Sequence, residues 1–338
     1  MDPALIGEWV IKSAVILLAM TGGFAYVTLY ERKVLARMQT RIGPNRAGPF
    51  GVLQPVADGI KLIFKEELIP ANADKLVFIA APIITVIPAL IITGVVPWGD
   101  SITLFGRQIP LQLADINVAV LYILSITSIS VYGITLAGWS SNNKYAMLGG
   151  LRSTAQMISY ELALGLSFVG PIMIAGSLSL RDIVEAQRGT WFIVYQPLAA
   201  LLYMISTIAE VNRAPVDMPE AEQELTAGYH TEYSGMKFAL FYMAEYIKMI
   251  AVSMIGASLF LGGYHMPFGI PDFGLLGPIW LLIKVAALLF GLIWLRATLP
   301  RIRYDRLMAF GWKVSFPLSL VNILGTAVVL ALLGNKGG

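Results

Sequence analysis

The chain has 338 residues, of which 57% are apolar and only 13% charged, with a net charge of +3. A soluble domain carries about 25% charged residues, so the composition excludes a string of soluble domains and predicts a polytopic membrane protein. With no cysteine and only His230 and His265, disulfides, thiolate zinc sites and cysteine-ligated iron–sulfur clusters are excluded, and a haem pair or histidine metal site is not expected.

The charges ahead of the first apolar run are Asp2, Glu8 and Lys12, which do not form a basic n-region. No cleaved signal peptide is expected, and the run is expected to stay as a span. Eight stretches approach the roughly 20 apolar residues that cross about 30 Å of hydrocarbon. They are predicted at 10–30, 77–96, 118–137, 157–174, 191–208, 238–261, 275–294 and 314–333. The fold class is therefore an all-α membrane protein forming one membrane domain over residues 1–338, and Pro82 and Pro88 predict a kink in the second span. No internal repeat is evident, which disfavours an inverted-repeat transporter.

The loops after spans one, three, five and seven hold 17 basic residues against 5 on the other side. These odd loops are predicted to face the cytoplasm (or an organelle's matrix or stroma), with both termini on the outer side. In the first inner loop, residues 31–76, Arg32, Lys33, Arg37, Arg41 and Arg46 follow the span directly. The plain reading is an anchor at the lipid headgroups. Glu31, at the end of a membrane helix, calls for a cationic partner or a polar cavity. Gly43-Pro44 and Gly48-Pro49 stop the helix and enforce turns. Val52, Val56, Ile60, Ile63 and Phe64 then recur at helical spacing, with Asp58, Lys61 and Lys65 on other faces. That pattern predicts an amphipathic helix lying in the membrane interface. It serves either as a strut or as the frame of a lateral opening for a lipid-like molecule.

Glu161, Glu210 and Glu245 fall within or at the inner ends of spans four, five and six. All three occupy the inner half of the membrane, and Lys248 and Lys284 are the candidate neutralising partners. Two readings stand: buried ion pairs that fix packing, or a carboxylate set that exchanges protons. The third inner loop, 209–237, adds charge of the same sign. From Glu210 to Glu245 there are seven acids against Arg213 and Lys237. Glu220 and Glu224 would share a face of a short helical turn, with Glu222 displaced, and Tyr229, Tyr233 and Met236 make the loop sticky. It is expected to pack against its own cavity or a partner.

Four stretches together carry a resemblance: "ERKVLARMQTRIGPNRAGPFGVLQPVADGIKLIFKE", "GWSSNNKYAMLGGLRSTAQMISYEL", "AEVNRAPVDMPEAEQELTAGYHTEYSGMKFALF" and "WLRATLPRIRYDRLM". The chain closely resembles the family of the H subunit of proton-pumping NADH:quinone oxidoreductase (respiratory complex I), known in mitochondria as NADH dehydrogenase subunit 1. The resemblance implies a subunit without a redox centre of its own, in a bacterial cytoplasmic membrane rather than an organellar one. Quinone is the implied substrate, with FMN and iron–sulfur clusters confined to partner subunits. The implied partners are the peripheral-arm quinone-site and iron–sulfur subunits, the small membrane subunits and the antiporter-like subunits. Quinone-tunnel positions are implied for Glu31, Arg32, Arg41, Asp58, Lys61, Arg296 and Arg301. Junction positions are implied for Glu220, Glu222 and Glu224, and a proton route for Glu161, Glu210 and Glu245. One position departs from the family pattern, since Lys248 stands where many relatives carry an uncharged residue and puts a cation beside Glu245. The alternatives are the anchor subunit of a related membrane-bound hydrogenase or ferredoxin-linked complex, against which the full first loop argues, and a free-standing ion-coupled transporter.

Overall fold

The structure is a computed structural model that describes residues 3–104, 107–218, 228–266 and 276–334. In chain order it runs α1 (Pro3–Met38), α2 (Gln54–Ile63), α3 (Lys75–Thr93), a hairpin of β1 (Ser101–Leu104) and β2 (Arg107–Pro110), α4 (Ala119–Ser140), α5 (Lys144–Ala175) and α6 (Leu180–Glu185). It continues with α7 (Phe192–Tyr195), α8 (Pro197–Glu210), α9 (Gly235–Phe260), α10 (Gly277–Thr298), α11 (Tyr304–Phe310) and α12 (Phe316–Gly334). A π-turn, Gly311–Ser315, joins the last two into one continuous helical run. Among the described residues, 7 helices are long and apolar enough to cross a membrane. The all-α polytopic class is thus what the composition requires, with one small antiparallel hairpin, Ser101 opposite Pro110, as an addition that the sequence pattern did not reveal.

Several helices outrun their predicted spans. The 36 residues of α1 extend about 54 Å at 1.5 Å per residue, well beyond about 30 Å of hydrocarbon. The basic residues Arg32, Lys33 and Arg37 therefore sit on the same helix as the span rather than in a loop. Pro82 and Pro88 both lie inside the unbroken α3.

The fifth predicted span is different. It is divided into the four-residue α7 and the 14-residue α8. Pro197 at the first position of α8 has no N–H to continue a helix, and Gln196 leaves helical geometry at φ −128°, ψ 52°. Its side chain is held by α12: Nε2 donates to Thr326 Oγ1 at 2.7 Å, and Oε1 accepts from Asn322 Nδ2 at 3.0 Å. α8 alone spans about 21 Å, short of the roughly 30 Å of hydrocarbon that a full span crosses.

α9 is the centre of the bundle. Every residue from Tyr246 to Phe260 is buried, as expected for a helix apolar all round. It packs against α1, α3, α8 and α10. α3 and α4 approach closely because Gly133 lacks a side chain; a Cβ there would meet the Thr85 backbone nitrogen at 2.9 Å.

Cross-loop contacts sort the ends of the bundle into two sides. On one side Asn143 Nδ2 donates to Glu232 at 2.7 Å, Asp74 N donates to the Ser140 carbonyl at 3.2 Å, and Lys237 pairs with Glu67. On the other, Lys12 Nζ reaches the Gln112 carbonyl at 3.4 Å and Arg181 lies 3.5 Å from Asp100. Loops predicted to share a side do so. Lys284 belongs to the second side. Its ammonium donates to the carbonyls of Leu261 (2.7 Å), Gly263 (2.8 Å) and His265 (2.6 Å) beyond the end of α9, with the Trp191 ring 4.9 Å away. This corrects the expectation that Lys284 neutralises the inner carboxylates: it caps the end of α9 opposite Glu245.

Candidate functional site

At the inner end of α1, Glu31 is 2% exposed. Such a carboxylate needs cations close by, and two long-range arginines supply them. Arg296, in the last turn of α10, pairs with Glu31 Oε1, and Arg213 Nη1 lies 3.4 Å from the same oxygen. Arg213 also pairs through Nε with Glu245 of α9, and its guanidinium carbon stands 4.4 Å from the Tyr246 ring centroid. A cation over a ring in a desolvated position adds to its retention.

The turn after α8 places Arg213. Asn212 takes the left-handed conformation at φ 55°, which Asn tolerates better than most residues. Fully buried Gln156 of α5 clamps this turn, its Nε2 reaching the carbonyls of Ala209 at 2.8 Å and Val216 at 2.9 Å. The guanidinium is thus turned back into the bundle rather than left among the headgroups.

A second group lies beside the first. Glu210 and Lys248 are both buried, with Lys248 Nζ 3.6 Å from Glu210 Oε1. That is ion-pair distance but beyond a hydrogen bond, and neither oxygen of Glu210 has a hydrogen-bond partner among the described residues. Glu161 of α5 accepts from Ser128 of α4 and lies within electrostatic range of Glu210. Two small cavities flank this arrangement and share Val211 in their walls. One is lined by Glu31, Arg213 and Arg296; the other by Glu210, Glu245, Lys248 and Thr85.

The remaining predicted positions fall into separate places. Arg32 Nη1 donates to Asp58 Oδ2 at 2.7 Å, tying α2 to α1, while Gln54 Nε2 at 3.2 Å and Lys61 at 3.6 Å share Asp58 Oδ1. Burial pushes the Asp58 carboxyl up, but the Arg32 hydrogen bond and charge, with Gln54 and Lys61, outweigh it and hold it below the usual carboxylate range. Arg41 hydrogen-bonds Gln39 at 2.8 Å and lines an open groove with Arg32, Ile42 and Pro44. Arg301 neighbours Ile302, whose N–H donates to the Pro215 carbonyl at 3.0 Å, and its buried Nη2 has no hydrogen-bond partner among the described residues. Glu220, Glu222 and Glu224 lie outside the described residues.

The structure therefore brings Glu31, Glu210, Glu245 and Arg296 together, and leaves Arg32, Asp58 and Lys61 as a separate exposed cluster. Sequence reasoning missed Arg213, Ser128 and Gln156 as site residues. Arg213 read as an ordinary basic loop residue; only its place directly after a buried glutamate, in "AEVNRAP", hinted at more.

The family model described as NADH dehydrogenase matches residues 11–327. The NADH-quinone oxidoreductase H subunit of Thermomicrobium roseum is 55% identical, the match covering 93% of this chain and 94% of the relative. An H subunit of the same enzyme from Geobacter metallireducens is 54% identical, covering 95% and 96%. That of Protochlamydia amoebophila is 53% identical, covering 90% and 91%. With likeness of this extent running through every helix described above, the chain belongs to the family of NADH-quinone oxidoreductase H subunits.

Proposed function

We propose that this chain is the membrane subunit that forms the membrane part of a quinone tunnel in a proton-pumping NADH:quinone oxidoreductase of a bacterial cytoplasmic membrane, and that its buried carboxylates relay charge from quinone reduction to proton translocation. One observation carries the reading: the chain of alternating charge Arg296, Glu31, Arg213, Glu245, drawn from α10, α1, the turn after α8, and α9. Reduction of a quinone takes up protons as well as electrons, so the groups that give up those protons are left more negative. At about 4 Å and an effective dielectric near 20, a pair of charges interacts by roughly 4 kcal/mol. A change beside Glu31 is therefore felt at Glu245 through the arginine they share.

The set is a coupled one: Glu31, Glu210 and Glu245 pair with Arg213, Arg296 and Lys248, and Glu161 lies within electrostatic range of Glu210. Arg32, Asp58 and Lys61 at the α1–α2 junction form the mouth where the apolar tail enters, and the acidic loop of Glu220, Glu222 and Glu224 meets the partner subunits. Peripheral-arm partners deliver the electrons, and antiporter-like partners receive the signal.

Glu245→Gln in the assembled complex tests this reading. Quinone-coupled turnover and proton pumping are expected to fall together, while reduction of an artificial acceptor by the peripheral arm persists. Wild-type quinone turnover and pumping in that variant would overturn the relay.

A further inference from the structure

An open groove at the inner end of α1 takes no part in the relay. Arg32 and Leu35 of α1 line it, together with Thr40, Arg41, Ile42 and Pro44 from the turn that follows. That turn is tightly specified. Arg41 N–H donates to the Ala36 carbonyl at 2.8 Å and Thr40 N–H to the Arg37 carbonyl at 3.2 Å, the paired bonds of a Schellman cap. The left-handed position in such a cap usually falls to Gly, yet Thr40 holds it at φ 57°. A β-branched residue there is strained, and strain of this kind clusters at ligand clamps and active sites. Gly43, at φ 75°, then folds the chain back so closely that a Cβ there would meet the Ala36 Cβ at 2.9 Å. These constraints set Arg41 in the same groove as Arg32.

The groove has the chemistry of a receptor for an anionic amphiphile. Residues 32–65 hold seven basic side chains against a single acid, Asp58. Asp58 is taken up by Arg32 at 2.7 Å and Lys61 at 3.6 Å, which leaves Arg37, Arg41 and Arg46 without an acid of their own in the segment. Arg32 is half-exposed and gives Nη1 to Asp58; a guanidinium carries five N–H donors, so others remain for a second anion. Apolar surface adjoins the arginines. Ile42 is exposed, as are Val56, Ile60 and Ile63, which recur on one face of α2. A helix of this kind lies with its apolar face in the acyl boundary, and the Arg32–Asp58 bond ties it to α1 there. The arginines therefore stand at the level of lipid phosphates, with apolar walls where acyl chains begin. We infer that this groove binds one anionic phospholipid. Arg32 and Arg41 hold its phosphodiester, which suits the planar fork of a guanidinium. Leu35, Ile42 and Pro44, continued by the apolar face of α2, receive an acyl chain. Basic residues just inside a membrane helix attract anionic lipid in general; the shaped groove with two guanidiniums makes this a site rather than a charged surface. The inference goes beyond the quinone reading and does not depend on it.

The test is photolabelling of the assembled complex in phosphatidylcholine vesicles that carry a minor share of phosphatidylglycerol with a diazirine on one acyl chain. Labelled peptides are mapped by mass spectrometry. Label is expected to concentrate on residues 35–64 and to fall about fivefold there in Arg41→Gln, the weight of one basic residue against anionic lipid. Arg46→Gln removes the same charge outside the groove and is expected to leave the labelling unchanged. Label on the exposed faces of α10 and α12 shows that each variant complex is intact. In the unaltered complex, phosphatidylcholine with the same diazirine is expected to label residues 35–64 no more than it labels α12. Equal losses in Arg41→Gln and Arg46→Gln overturn the inference in favour of a diffuse basic surface. Label spread evenly over the exposed helices, or equal labelling by the two lipids, overturns it as well. Displacement of the label by soluble glycerol phosphate would make the groove a phosphate site and not a lipid site. Quinone turnover is read in none of these arms, so failure here leaves the relay standing, and failure of the relay leaves the lipid site standing.

Discussion

Glu31 and Arg213 lie 182 positions apart in the chain, yet the Arg213 Nη1 stands 3.4 Å from the Glu31 Oε1 inside the bundle. The contact closes the turn after α8 onto the end of α1, and Arg296 closes α10 onto the same carboxylate. One oxygen thus ties three parts of the fold. Replacing it removes the carboxylate that stands between two arginines. Glu31→Gln is expected to lower the stability of the chain by about 1–3 kcal/mol, because Arg213 keeps Glu245 and Arg296 is partly exposed. Thermal unfolding of the purified complex, followed by release of this subunit, measures it. An unchanged transition would show that the arginines are balanced by other groups.

Lys284 makes a different prediction, because it donates to three carbonyls beyond the end of α9. Lys284→Met would leave the carbonyls of Leu261, Gly263 and His265 without that donor. Each buried acceptor left without a donor costs about 1–3 kcal/mol. The variant is expected to melt at lower temperature while quinone turnover, measured well below that temperature, stays near wild type. Lost turnover at full stability would place Lys284 in the relay after all.

The Arg32–Asp58 pair sets a pH dependence at the α1–α2 junction. Asp58 is held below the usual carboxylate range. A carboxyl lowered in the folded chain contributes stability above its ordinary value, about 3.9, and loses that contribution as pH falls through the lowered value. Both side chains are partly exposed, so the effect is below about 1 kcal/mol. Hydrogen exchange over residues 54–63 is expected to stay slow to about pH 4 and to quicken below it. In Asp58→Asn it should be quick at every pH. Acid-independent protection in the wild type would remove the pair from the docking of α2.

Much of this was legible in the sequence, and the exceptions have physical causes. Hydrophobic runs located the spans, because burying about 20 apolar residues leaves little freedom of interpretation. The broken fifth span was not legible: Gln196-Pro197 sits in a run apolar enough to pass as continuous, and what fixes the break is a long-range pair of bonds to Asn322 and Thr326. The same holds at the site. Glu31, Glu210 and Glu245 stood out because charge is costly in an apolar run. Arg213 did not, because a basic residue after a span is what the positive-inside rule expects. Lys284 was assigned to the wrong partners because its depth in the helix says nothing about which end of the neighbouring helix it meets.

Arg213 is shared between Glu31 and Glu245, and Arg213→Lys disturbs that sharing least. Lysine keeps the charge but lacks the planar fork that spans two carboxylates. The decisive measurement is quinone-coupled turnover with protons pumped per electron, set against artificial-acceptor reduction, in membranes holding the assembled variant complex. Turnover is expected to fall by about tenfold or more, with pumping falling alongside it and acceptor reduction unchanged. Wild-type turnover and pumping with lysine at this position would contradict it.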